Sequence, residues 1–270
     1  MGIFRSDLKR IFTSWIFFLS IVIVVIGGII QCALIYPDFA DHSQTYGPLN
    51  CFLAAFCLSG YGPVVAPILA VLPFATAYID DLQTGYVKSI IARTTRRSYV
   101  ISRMVSIGIS GGLVLLLGYL STLAFFCLID PLPSARTMIL GGAFVRVYHN
   151  SMLQYALLIS FNAFVSGFVY ALLCMGLSAI TNNRYIGIIA PTCLSLCSSL
   201  IAWALPFATI KNALLAILPS VTLVLQLTTE ARLIRDYCVL FICATFMIAT
   251  SYQWQKVDGF KVLAFILGTK

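Results

Sequence analysis

The fold of this chain is decided by the stretch Trp15–Tyr36, which reads WIFFLSIVIVVIGGIIQCALIY. It contains no Asp, Glu, Lys or Arg, and it is longer than the roughly 20 residues that an α-helix needs to cross a bilayer. A Trp at one end and a Tyr at the other are typical of helices that end at the membrane–water interface. The stretch therefore predicts a transmembrane helix.

The composition of the whole chain also favours a membrane location. Of its 270 residues, 60% are hydrophobic and only 10% are charged, whereas a soluble domain carries about a quarter charged residues. So few charges cannot solvate the surface of a globule of this size. We therefore predict an all-α fold, a polytopic membrane helical bundle formed by residues 1–270 as a single transmembrane domain.

Long apolar runs predict about six transmembrane helices with both termini in the cytoplasm. A short basic amphipathic segment, Gly2–Arg10, precedes the first span. An interfacial or re-entrant piece from Cys51 precedes the second, and the segment 207–236 is predicted as a broken outer-leaflet segment. The predicted spans are Trp15–Tyr36, Gly62–Ile79 (kinked by prolines), Met104–Ile129, Ser151–Ile180, Tyr185–Leu205 and Tyr237–Trp254.

The distribution of basic residues sets the orientation of this topology, because Lys and Arg favour the cytoplasmic side. The chain has 17 Lys and Arg against 9 Asp and Glu, a net charge of +8. Of the 17, those in predicted outward segments are Arg136, Arg146, Lys211, Arg232 and Arg235. The other twelve lie in predicted inward segments. The positive charge is therefore explained by membrane topology, and we predict no binding of nucleic acid.

No group of residues in the sequence points to catalysis. There is no Gly-rich loop ending in Lys-Ser or Lys-Thr, so we predict that the chain has no ATPase site of its own. Cys193 and Cys197 share a helix face, but no His or acid lies near them to complete a metal site. No predicted span carries an ionisable residue in its middle, which argues against an ion-coupled carrier. We predict a protein that is not an enzyme.

The segment Asp80–Arg103 is the one long polar stretch between two predicted spans. An acidic pair opens it, Gly85 allows a sharp break, and apolar residues at helical spacing begin at Tyr86. A short helix of this kind suits docking into a partner's groove. The alternative is a solvated loop whose arginines bind lipid headgroups. The candidate docking residues are Asp80, Asp81, Thr84, Gly85, Tyr86, Lys88, Arg93, Arg96, Arg97 and Tyr99.

This segment resembles the cytoplasmic connection in permease subunits of type-2 ATP-binding-cassette exporters. Both have an acidic pair at the end of the second span, then Thr-Gly, then an Arg-Thr-x-Arg-x-x-Tyr stretch that opens the third span. The layout of the whole chain is similar too, although many relatives carry Glu where this chain has Asp80 or Asp81. The matching residues are Asp80, Asp81, Thr84, Gly85, Lys88, Arg93, Thr94, Arg96, Arg97 and Tyr99.

The resemblance implies that residues 80–97 form a coupling helix resting on a separate ATPase subunit, which would hold ATP and Mg²⁺. Two permease chains, identical or homologous, would pair with two ATPase chains in the cell membrane of a prokaryote. The exported substrate would be hydrophobic or amphipathic: a drug, an antimicrobial peptide or a lipid. From the residues alone, two other functions stay open: a channel or secondary carrier that needs no ATPase, and a non-transporting membrane scaffold.

Polar residues inside the predicted spans are candidates for a substrate path, and the face bearing Asn162 and Ser166 would line it. The alternative for each residue is a hydrogen bond that holds two helices together. Gly108 and Gly112 are expected to let the third span approach another helix of the same chain closely. The path candidates are Gln154, Asn162, Ser166, Ser195 and Ser199.

Overall fold

The structure is a computed structural model that describes residues 2–35, 49–53, 55–56, 61–74, 77, 81, 96–129, 144–181, 183–204 and 234–249. Nearly all of these residues are helical, and no β-strand occurs among them. The prediction of an all-α fold is therefore confirmed. The helices are α1 Gly2–Phe12, α2 Trp15–Ile35, α3 Tyr61–Val71, α4 Arg96–Ile129, α5 Val145–Asn150, α6 Met152–Thr181, α7 Arg184–Ala204 and α8, residues 234–249.

Three of these helices are long and apolar enough to cross a membrane: α2, α4 and α6. Their spanning portions are Trp15–Leu34, Ser98–Leu128 and Met152–Thr181, and they fall on the first, third and fourth predicted spans. Helix α7 has a shorter apolar portion, Tyr185–Cys197. The fold is thus a membrane helical bundle, and the count of about six spans stays a prediction.

Helix α6 lies at the centre of the bundle and α2 at its edge. In their most apolar portions, 72% of the α6 residues are buried against 28% of the α2 residues. The exposed side of α2 is lined by large apolar side chains such as Phe18, Leu19 and Ile30. A helix that exposes so much apolar surface along one side is suited to contact with lipid.

Helices α4 and α6 pack closely because glycines face each other across their contact. A Cβ added to Gly111 would lie 2.7 Å from the Gly167 carbonyl oxygen, and one added to Gly167 would lie 2.5 Å from that of Gly111. A Cβ on Gly112 would meet the Phe164 ring of α6 at 2.7 Å. The expectation that glycines of the third span permit close approach within the chain is confirmed.

The apolar stretch before α4 is divided into short helical pieces. Residues 49–53 are helical, and Phe52 is fully buried in the bundle. Phe56 stacks on Tyr119 of α4 with ring centroids 3.8 Å apart. Helix α3 contains Pro67 and ends at Val71, where a turn follows. Within the predicted second span, about Gly62–Ile79, the continuous helix therefore ends at Val71, and of the described residues beyond it 72–74 form a turn and Ala77 is helical.

Two predicted segments fall largely outside the described residues. Of the broken segment 207–236, only residues 234–236 are described, and they begin α8. Of the segment Asp80–Arg103, Asp81 and residues 96–103 are described. The sequence predicts that the third span begins at Met104, but α4 begins at Arg96. Its first two turns can be part of the bundle because the charge of Arg103 is paired, as described next.

Candidate functional site

A buried arginine lies near the start of α4 and binds carboxylates from two other parts of the chain. The Arg103 side chain is only 2% exposed. Its Nη1 atom donates to Oδ1 of Asp7 on α1 at 2.8 Å, and its Nη2 atom donates to Oδ2 of Asp81. Asp7 and Asp81 are buried as well. One guanidinium therefore joins α1, α4 and Asp81, the described residue that precedes the connection 82–95.

A buried tyrosine completes this arrangement. Tyr99 precedes Arg103 by four residues, so both side chains lie on the same face of α4. The Tyr99 hydroxyl donates to Oδ2 of Asp81 at 2.7 Å and accepts a bond from Nε of Arg103 at 3.3 Å. We call the four residues Asp7, Asp81, Tyr99 and Arg103 the charge network.

Two further side chains border the charge network. The Phe74 ring centroid lies 5.3 Å from Cζ of Arg103, a distance at which an aromatic face attracts a cation. Arg10 lies 4.0 Å from Oδ1 of Asp81, and its side chain is 63% exposed. The two carboxylates and two guanidinium groups balance in formal charge. The network thus has an apolar wall on one side and a solvated cation at its rim.

Asp7 has an incomplete set of hydrogen-bond partners. Its Oδ2 atom has no hydrogen bond to a described residue; the nearby Ser106 hydroxyl donates instead to the Ser102 carbonyl at 2.8 Å. Burial raises the pKa of Asp7 above its ordinary value, and Arg103 opposes this rise. Folding therefore disfavours the ionised form of Asp7.

The network joins separate segments of the chain through buried charges. Removing one partner from a buried ion pair costs about 3–5 kcal/mol, since the other charge stays buried without compensation. The described residues contain no group of three or more His, Cys, Asp or Glu that could hold a metal ion. What the arrangement can do is hold three chain segments in fixed relation.

The structure brings together two of the ten predicted docking residues. Asp81 and Tyr99 belong to the charge network, and both are buried, so neither side chain lies on an accessible docking surface. Arg96 and Arg97 begin helix α4. Six predicted docking residues lie outside the described part of the chain: Asp80, Thr84, Gly85, Tyr86, Lys88 and Arg93.

Among the substrate-path candidates, Asn162 and Ser195 bond to neighbouring helices of the same chain. Oδ1 of Asn162 accepts a bond from the Tyr237 hydroxyl of α8 at 2.6 Å. The Tyr170 hydroxyl of α6 donates to the Ser195 hydroxyl of α7 at 3.1 Å. Hydrogen bonds that hold two helices together are the alternative that the sequence analysis gives for these polar residues.

The other path candidates have different surroundings. Ser166 is buried and donates to the Ala163 carbonyl of its own helix at 2.9 Å. Gln154 is exposed near the start of α6, and Ser199 lies in α7. That the face bearing Asn162 and Ser166 lines a path between two chains stays a prediction.

Sequence reasoning missed the roles of Asp7 and Arg103. A signal was present for each: Asp7 is the only acid in the otherwise basic α1, and Arg103 follows Tyr99 by one helical turn. Because residues 7 and 103 are far apart in the chain, neither signal shows that the two side chains meet.

Comparison with known proteins gives no family for this chain. No protein-family model, curated protein or solved structure matches it. Its function therefore has to be inferred from its own residues and geometry.

Proposed function

We propose that this chain is the permease subunit of an ATP-binding-cassette exporter of type 2. The observation that carries the proposal is that the charge network holds both ends of the connection 82–95. Asp81 precedes that connection and Tyr99 follows it, and the two side chains are hydrogen-bonded to each other at 2.7 Å. A cytoplasmic connection with joined ends is suited to transmit force from a partner to the membrane helices.

The cost of the network supports a mechanical role over a loop that binds lipid headgroups. Arginines on a solvated loop reach headgroups without any buried charge. Burying two carboxylates and a guanidinium requires desolvation of each, which hydrogen bonds must offset. The network also includes Asp7, so a displacement of the connection reaches α1 as well as α4. A mechanical role explains why these charges are buried, whereas a passive loop does not.

The rest of the proposal follows from the resemblance of the sequence to such permeases. ATP and Mg²⁺ would be held by a separate ATPase subunit, since the sequence has no phosphate-binding loop. Two permease chains would form the path for a hydrophobic or amphipathic substrate: a drug, an antimicrobial peptide or a lipid. The complex would work in the cell membrane of a prokaryote.

Co-purification from the native host tests this proposal. We expect the tagged chain, extracted in mild detergent, to retain a nucleotide-binding subunit with ATPase activity. The double variant Tyr86→Asp/Lys88→Glu changes the predicted docking segment and leaves the charge network intact, so it should lose that subunit. Arg146→Glu is the matched control, because Arg146 is exposed and lies in a predicted outward segment.

Three results would contradict the proposal. The first is a single-chain eluate without ATPase activity. The second is transport by the purified chain alone in vesicles, which would make it a channel or carrier. The third is a bound partner that hydrolyses no nucleotide, which would favour a scaffold. A loss of the ATPase subunit in Arg146→Glu as well would show that the effect of the double variant is not specific to residues 86 and 88.

A further inference from the structure

All the charged side chains that α1 exposes are basic. Arg5, Lys9 and Arg10 are all exposed, whereas Asp7, the only acid of the helix, is buried against Arg103. Arg5 and Lys9 are one turn apart, so they lie on the same side of α1. The ion pair of Asp7 therefore leaves the outer side of α1 without a compensating negative charge on that helix.

The cationic side of α1 continues into exposed apolar residues at the start of α2. Phe12, seven residues after Arg5, shares its side of α1 and is 47% exposed, and Trp15 at the start of α2 is 87% exposed. Ile16 is exposed too and begins the apolar side of α2. Aromatic residues at such a junction are typical of the membrane–water interface. The junction thus presents cations beside a surface suited to lipid.

The turn between α1 and α2 is hydrogen-bonded at both ends, and one ring contact joins the two helices. The Thr13 amide donates to the Lys9 carbonyl at 3.0 Å, and the Phe17 amide donates to the Ser14 carbonyl at 3.2 Å. The rings of Phe12 and Phe17 contact each other edge to face, with centroids 5.5 Å apart. These contacts place the last turn of α1, which carries Lys9, beside the start of α2.

We propose that the α1–α2 junction is a binding site for an anionic phospholipid. The lipid phosphate would bind between the side chains of Arg5 and Lys9, and its acyl chains would follow Phe12 and Ile16 along α2. A phosphodiester is the anion that this position offers, since Lys and Arg at a membrane surface attract acidic headgroups. An acidic protein partner is the less suitable occupant, because the neighbouring exposed side of α2 faces lipid.

Native mass spectrometry of the full chain in mild detergent tests the site. Phosphatidylglycerol should bind more tightly than phosphatidylcholine, and Arg5→Gln/Lys9→Gln should raise the dissociation constant for phosphatidylglycerol only. About fivefold for each cation is expected, which equals about 1 kcal/mol for a basic residue near an anionic surface. Arg5→Lys/Lys9→Arg should restore the preference, and Arg146→Gln, also exposed, should leave it unchanged.

The proposal is overturned if Arg5→Gln/Lys9→Gln binds both lipids as the natural chain does. It is also overturned if Arg146→Gln produces an equal loss, because the effect would then follow from net charge. Unchanged lipid binding together with loss of a co-purified protein would assign the basic side of α1 to a protein partner. Since Arg5 and Lys9 are exposed, the double variant should keep the unfolding midpoint of the natural chain. None of these results depends on an ATPase subunit.

Discussion

Replacing Arg103 by Met tests whether the charge network holds this end of the bundle together. Arg103→Met removes the cation that, among the described residues, donates hydrogen bonds to both buried carboxylates; Asp7 lies 2.8 Å away. Breaking a buried ion pair in this way costs about 3–5 kcal/mol. For a chain of this size about 1 kcal/mol lowers the unfolding midpoint by about 2–4 °C. The midpoint should therefore fall by about 6–20 °C.

The assay is thermal unfolding of the detergent-purified chain, followed by tryptophan fluorescence and by the monodisperse fraction after heating. The diagnostic step is compensation: Asp7→Asn and Asp81→Asn, added to Arg103→Met, should recover most of the lost midpoint because no buried charge remains. A change of less than about 2 °C in Arg103→Met, which is under about 1 kcal/mol, would refute the reasoning. Absence of recovery in the triple variant would show that packing around residue 103, and not charge, determines stability.

Three further predictions concern other parts of the bundle. Gly111→Ala should lower stability by about 1–3 kcal/mol, because the added methyl meets the Gly167 carbonyl at 2.7 Å; an unfolding midpoint equal to that of the natural chain would contradict this. Tyr237→Phe removes the 2.6 Å bond to Asn162 and should cost about 0.6 kcal/mol and at most about 1.7 kcal/mol, the average and the maximum for such bonds between membrane helices. Burial raises the pKa of Asp7 above its ordinary value of 3.8. The stability that Asp7 contributes is therefore fully present below pH 3.8, and it is lost as the pH rises through the raised pKa. Asp7→Asn should remove that decline from a plot of unfolding midpoint against pH.

The long helices could be predicted from the sequence because their signal is local. An uninterrupted apolar run such as Trp15–Tyr36 is enough to predict a spanning helix, and the structure has α2 there. The start of α4 could not be predicted in the same way. Hydropathy ends the span at Arg103, because a charge in lipid is costly. The carboxylates that pair with Arg103 are distant in the chain, so sequence alone does not show that the helix continues back to Arg96.

The candidate site shows the same difference between local and distant information. Asp81 and Tyr99 could be predicted as docking residues, since they flank one connection and match a motif. Their burial could not be predicted from the sequence, because it depends on contact with Arg103 and the rest of the bundle. Asp7 was missed because its partner lies 96 positions away in the sequence. A basic amphipathic helix is also expected to place its acid on the solvated side.

Stability alone does not explain why the network exists. Apolar residues of similar volume in place of a buried ion pair are often neutral or stabilising, so a tightly packed apolar contact could join α1 to α4 equally well. An apolar contact permits sliding, however, whereas two hydrogen-bonded carboxylates on one guanidinium define a single register between the segments. Under the proposed function, the triple variant Asp7→Asn/Asp81→Asn/Arg103→Met should fold and bind the proposed ATPase subunit, yet transport per ATP hydrolysed should fall. Full transport by a folded triple variant would show that the network serves assembly of the bundle and not the transmission of force.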